Sequence, residues 1–133
     1  MDKLLNLEIV SSEKVAAKGK VESISAPGTD GEFQVLYNHA PLVVTLGIGQ
    51  IRLVNEFGEK SSFSTSGGIF EVRDNKVTIL AETIENKEEI DIERAKKSIQ
   101  RAEDRLKAGE KGVDIMRAKY AIKRALNRLK IIE

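Results

Sequence analysis

Short apolar segments recur through residues 4–82, with turn residues between them. Leu4–Val10, Val21–Ala26, Glu32–Leu36, Leu42–Leu46, Gln50–Val54, Ser61–Thr65, Ile69–Arg73 and Lys76–Ala81 read as strands, being rich in Val, Ile, Leu and Phe. In Gln50–Val54, Ile51 and Leu53 alternate with Arg52 and Val54, the period of a half-buried strand. Asp30-Gly31, Asn55–Gly58, Gly67-Gly68 and Asp74-Asn75 predict turns, because Gly and Asn tolerate positive φ. Pro27 and Pro41 fall at strand edges or in loops. Eight or more closely spaced short strands imply a β-sandwich or flattened barrel with a modest core.

The period changes after Glu85. Ile92, Ala95, Ile99, Ala102 and Leu106 recur at alternating intervals of 3 and 4. After Gly109 and Gly112, the same spacing links Ile115, Ala118, Ile122, Ala125, Leu129 and Ile132. These are coiled-coil-like helix stripes, with Asp91 and Asp114 as N-caps. A short Gly-containing break between amphipathic helices makes an antiparallel hairpin. The expected fold is α+β: an all-β sandwich or flattened barrel over residues 1–84, then a two-helix hairpin over 85–133. At about 0.8 kcal/mol per buried CH₂, an alanine seam is only marginally stable alone. Two arrangements fit it, a mobile hairpin and one docked permanently on the β domain.

Charge divides the chain at the same place. Residues 1–84 carry 8 basic against 11 acidic side chains, and residues 85–133 carry 14 against 10. Between Ile115 and Ile132 there are six basic residues and no acid. Such a split implies two parts with different partners. There is no cysteine, which excludes disulfides, thiolate nucleophiles and cysteine zinc sites. No apolar run approaches the roughly 18 residues of a membrane span. The start, Met1–Leu5, is too short and mixed for a signal peptide, and no transit peptide is evident. A bacterial or organelle-encoded chain is expected, meeting any membrane through a protein partner or a surface patch.

Catalysis finds little support. His39 is the lone histidine and lacks an identifiable Ser or Asp partner, so a structural role outweighs that of a base. Gly47-Ile48-Gly49 echoes a dinucleotide loop but lies between strands, with no helix N-terminus to take a phosphate. No metal-ligand spacing occurs. The arginines say more. Asp91, Arg94 and Arg101 share one side of the first helix, and Arg117, Arg124 and Arg128 one side of the second. Arg124 and Arg128, four apart, repel unless something opposite supplies an anion. A solvated face, an acidic protein surface and a polyphosphate all fit, arginine gripping the last with paired donors. Aromatic residues are 5%, and the helices hold only Tyr120, which argues against stacking on single-stranded nucleic acid.

Several segments together carry a resemblance covering nearly the whole chain. They are Gly31–Leu42 with its His39-Ala40-Pro41-Leu42, Ser66-Gly67-Gly68-Ile69-Phe70-Glu71-Val72, Val77–Ala81 and Ile90-Asp91-Ile92-Glu93-Arg94-Ala95. In this order, ahead of a helical hairpin, they resemble the ε-subunit family of F-type ATP synthases, called δ in mitochondria. The resemblance implies a non-catalytic central-stalk subunit that couples c-ring rotation to ATP synthesis. It places the sandwich on the γ subunit and c-ring, with the loop holding Glu32 and His39 facing the ring. It implies a hairpin that folds on the sandwich or extends into the catalytic head and inhibits ATP hydrolysis. Extended, its basic second helix, with Arg117, Lys123, Arg124 and Arg128, meets an acidic loop of the β subunit. Some bacterial relatives bind ATP on the folded hairpin, and the matching positions are Glu85, Ile90, Asp91, Arg94, Ala95, Arg101, Arg124 and Arg128. ATP would be a regulatory ligand, with no cofactor required. The implied location is peripheral, on the cytoplasmic face of the bacterial plasma membrane, within the complex. Gln34 stands where many relatives have Gly, and Tyr37-Asn38 where Pro-Gly is common.

Overall fold

The computed structural model describes residues 3–108 and 115–132. Nine strands come first: β1 (Leu5–Val10), β2 (Val15–Gly28), β3 (Gly31–Leu36), β4 (Leu42–Leu46), β5 (Gly49–Asn55), β6 (Lys60–Thr65), β7 (Gly68–Arg73), β8 (Lys76–Ala81) and β9 (Ile84–Glu85). A 3₁₀ turn, Lys87–Glu89, leads into α1 (Ile92–Ala108) and then α2 (Ile115–Ile132). The expected break at Gly109 and Gly112 and the Asp114 cap lie outside the described residues.

The strands form one sheet folded on itself, in the order β1-β8-β7-β4-β2-β5-β6-β9, with β3 on β2 and β1 also on β2. The closure depends on β2, which has 14 residues where the apolar pattern implied six. Its first half pairs antiparallel with β1, from Leu5↔Val21 to Val10↔Val15. Its second half pairs with β3 on one side and β5 on the other. Residues 15–20 are mostly exposed or half-exposed, so pairing rather than burial makes them a strand, and no alternation announces it.

Leu5, Ile9, Ile24, Val35, Ile51, Phe70, Val72, Val77 and Ile79 fill the space inside and are essentially inaccessible to water. Each contributes about 1.5–3 kcal/mol by burial. Phe33 meets Phe70 edge to face, with centroids 4.8 Å apart. Every member of this cluster lies between Leu5 and Ile84, so the β domain owns its core outright.

Two turns explain signature residues. Asp74 and Asn75 sit at φ 50° and 59° between β7 and β8, a tight hairpin turn needing residues that accept positive φ. Gly68, at φ 148°, lies so close to β8 that a Cβ would stand 2.1 Å from the Leu80 carbonyl oxygen. No side chain fits there, which gives Ser66-Gly67-Gly68 a packing reason.

The helices pack on each other, and α2 also lies on β5 and β6. Ala95, Ala102, Ala118 and Ala125 are buried. Ile99, Leu106, Ile122 and Leu129 are half-buried. Among the side chains described, the two stripes hold except at their starts: Ile92 and Ile115 are the first residues of their helices and remain 41% and 56% exposed.

Candidate functional site: the junction of hairpin and sandwich

The passage from sheet to helix is tightly specified. β9 is only two residues long, and pairs Ser64↔Glu85 and Thr65↔Ile84. Asn86 then caps the 3₁₀ turn: its side chain accepts from the Glu89 N–H at 3.0 Å, and the Asn86 N–H donates to Glu89 Oε1 at 3.3 Å. Ile90 is buried. Asp91 Oδ1 accepts from the Arg94 N–H at 3.0 Å, so Asp91 is the N-cap of α1, as its position implied.

From the other side, α2 delivers Arg128, whose Nε donates to Glu85 Oε1 at 2.6 Å, with both side chains about two-thirds buried or more. One residue earlier, Asn127 is buried, and its Nδ2 donates to the Gly49 carbonyl at 2.7 Å and to Ser64 Oγ at 2.8 Å. The turn between β1 and β2 closes a third side, where Lys14 pairs with Glu89.

These elements enclose a cleft of about 500 Å³. Of the eight residues expected to bind nucleotide, Glu85, Asp91, Arg94, Ala95 and Arg128 line it. Arg101 lines an adjoining open cleft of about 530 Å³ along α1, which shares Asp91 and Arg94. Ile90 is buried in the connecting segment. Arg124 is half-buried on α2 and lines neither cleft.

The expectation of one loop carrying Glu32 and His39 is corrected. Gly31–Leu36 is strand β3, so the two residues stand at opposite ends of it. The strand alone separates them by on the order of 13 Å, at about 3.3 Å per residue. Glu32 accepts from Arg52 at 3.2 Å and lines a groove beside α2 with Lys123 and Lys130. His39 lies past the far end, where the Asn38 N–H donates to Asn75 Oδ1 at 2.6 Å. The His39 Nδ1 is 2.6 Å from the Ala40 carbonyl, and a carbonyl only accepts, so that nitrogen carries the proton and the ring braces its own loop. Among the described residues no acidic or histidine cluster suits a metal.

Sequence reasoning missed Lys14, Ser64 and Asn127. Asn127 lies off the alanine stripe, on a second sheet-facing side of α2 shared with half-buried Ala121, Arg124 and Ile131. That side is too polar for periodicity to reveal. The available signal was a short amide within a run of long basic side chains.

Comparison with known proteins matches two family models. The ATP synthase delta/epsilon chain β-sandwich domain covers residues 4–87, and the long α-helix domain of the same chain covers residues 88–133. The chain belongs to the ATP synthase delta/epsilon chain family. As a delta/epsilon chain it is a non-catalytic subunit of an ATP synthase. An ATP synthase epsilon chain of Pelotomaculum thermopropionicum is 48% identical over 105 residues, covering 79% of this chain and 78% of that one. The epsilon chain of Desulforamulus reducens is 43% identical, covering 80% of both. In the Euglena gracilis mitochondrial ATP synthase, a chain with 24% identity superposes at a TM-score of 0.84, over 98% of this chain and 81% of that one. A chain of the Tetrahymena thermophila ATP synthase central stalk and c-ring, 16% identical, matches at 0.60, over 97% and 96%. Both share the delta/epsilon fold.

Proposed function

We propose that this chain is a rotor subunit of the central stalk whose hairpin acts as a movable brake on ATP hydrolysis, and that the docked hairpin binds ATP. The observation that carries the reading is the convergence of Glu85, Asp91, Arg94, Ala95 and Arg128 in one cleft between sandwich and hairpin. Such a cleft exists only while the hairpin is docked, so a ligand filling it favours the docked state by its differential affinity. The hairpin is well suited to leave. It buries small alanines, and its polar ties to the sheet include one amide and one ion pair.

In this reading the sandwich rests on the γ subunit and c-ring. Exposed apolar side chains on its outer face, with Ile69 of β7 directly opposite Leu80 of β8 and Val43 of β4 diagonal to Ile69, support a protein partner there. The basic side of α2 meets the acidic surface of a catalytic β subunit when the hairpin extends. Arg128 is engaged by Glu85 in the docked state, so the two arrangements compete for it. No cofactor is called for beyond ATP as a regulatory ligand. The subunit sits at the cytoplasmic face of the bacterial plasma membrane, held through its complex, and no described helix is long and apolar enough to cross a membrane.

Calorimetric titration of the isolated chain with ATP tests the ligand. Saturable binding is expected, weakened about 10-fold or more by Arg94→Ala, which removes one charged hydrogen bond. Absence of saturation at millimolar ATP would remove the nucleotide from the proposal while leaving the brake to be tested by hydrolysis.

A further inference from the structure

Three cations reach the cleft from three separate elements: Lys14 from the β1–β2 turn, Arg94 from α1 and Arg128 from α2. Two of them are held by carboxylates, Arg128 by Glu85 and Lys14 by Glu89. We propose that Lys14 is a further phosphate ligand of this cleft and that Glu89 restrains it, an inference that rests on the reading of the cleft as a nucleotide site.

Lys14 and Glu89 are separated by 75 positions in the chain, so their contact is made by the fold alone. Their side chains are 33% and 38% exposed, against 32% and 26% for Arg128 and Glu85, so water reaches this pair somewhat more readily. A lysine ammonium on a flexible stem binds phosphate as a point charge and changes partner without the fixed alignment that an arginine fork requires. A triphosphate offers several negative charges where Glu89 offers one.

Glu89 does not depend on Lys14 for its own position. Its Oε1 accepts from the Asn86 N–H at 3.3 Å and its own N–H donates to the Asn86 side chain at 3.0 Å. When Lys14 moves to a phosphate, Glu89 stays in the capping box. Glu13, Glu82, Glu85 and Asp91 line the cleft with Glu89, so its carboxylates outnumber its three cations and repel an anionic ligand. Removing the charge of Glu89 alone therefore frees Lys14 and reduces repulsion of the ligand together. Bound this way, ATP would tie the β1–β2 turn to both helices.

The test is calorimetric titration of the full chain and three variants with ATP. Lys14→Ala is expected to lower affinity about 5-fold or more, because it removes a charge-assisted hydrogen bond to phosphate. Glu89→Gln keeps the capping box, because glutamine serves at that position. It is expected to raise affinity about threefold. In the double variant most of the gain should vanish, since Glu89 acts mainly through Lys14 and only the relieved repulsion remains. Adenosine should bind the wild type and Lys14→Ala equally. If breaking the ion pair only loosened the turn, both single variants would bind ATP more weakly, and that result overturns the proposal. Unchanged affinity in Lys14→Ala alongside weaker binding in Arg94→Ala overturns it while sparing the nucleotide site. A wild-type chain that binds no ATP overturns both.

Discussion

A chain ending after residue 87 is expected to fold, to assemble into the synthase, and to leave ATP hydrolysis by the complex faster than with the full chain. The folding half of this expectation follows from ownership of the core. No residue of the hairpin belongs to the buried cluster, which runs from Leu5 to Ile84. The cut keeps β9, with Ile84 and Glu85 paired to β6. The cut removes the Arg128–Glu85 pair, the two hydrogen bonds of Asn127, and the cover over Ser64. Glu85 and Ser64 become free to hydrogen-bond water, so neither remains a buried orphan. The cost to the β domain should be about 2 kcal/mol or less. Denaturant unfolding of the fragment measures it, and an unfolded fragment would refute the independence of the domain.

The hydrolysis half follows from the proposed brake. A hairpin that inhibits only when extended contributes a coupling energy between its binding surface and the catalytic sites. Such couplings are typically about 1–3 kcal/mol, so removal should raise hydrolysis on the order of 5-fold or more. The comparison is ATPase activity of complexes reconstituted with the full and the shortened chain, at low ATP, where the docked state gains least from ligand. Equal rates would sink the brake while leaving the rotor role intact.

Much of the β domain was legible because one face of each strand is dry. Ile51 and Leu53 are only 0% and 8% exposed while Arg52 is exposed, as alternation implies. Legibility failed where pairing outweighs burial. The first half of β2 is solvent-washed and held by β1, and β9 is too short to show any period. Part of the cleft was readable because it is local: Asp91, Arg94 and Ala95 lie within one turn of a helix start, where spacing fixes their relation. Lys14 was invisible for the opposite reason, since only the fold carries it to Glu89. The strand over Glu32–Leu36 was legible, and the structure extends it by one residue to Gly31. The single loop carrying both Glu32 and His39 came from the resemblance alone, and β3 stands between the two.

Asn127→Asp is expected to undock the hairpin without unfolding the sandwich. The substitution conserves shape and changes only what the terminal atoms can do. The amide nitrogen of Asn127 donates twice, to the Gly49 carbonyl at 2.7 Å and to Ser64 Oγ at 2.8 Å. A carboxylate oxygen in that place accepts only. Ser64 can turn its hydroxyl proton toward it, but the Gly49 carbonyl cannot, and two acceptors then face each other in a buried site. Unsatisfied buried groups cost about 1–3 kcal/mol, and more when charged. Against a hairpin whose seam is largely alanine, that is about a 10-fold to 100-fold shift away from the docked state. Amide exchange along α2 should accelerate while exchange in β7 and β8, inside the separate core, stays the same. In the nucleotide reading ATP should bind more weakly, although Asn127 lies outside the cleft, because the anchor sets the register that brings Arg128 to Glu85. Inhibition in the complex should deepen, since the released hairpin is free to extend. Asn127→Leu separates the two possible causes: it removes the donors without adding charge, and should undock less than Asn127→Asp. A hairpin that remains protected in Asn127→Asp would show that the alanine seam, and not this amide, sets the docked state.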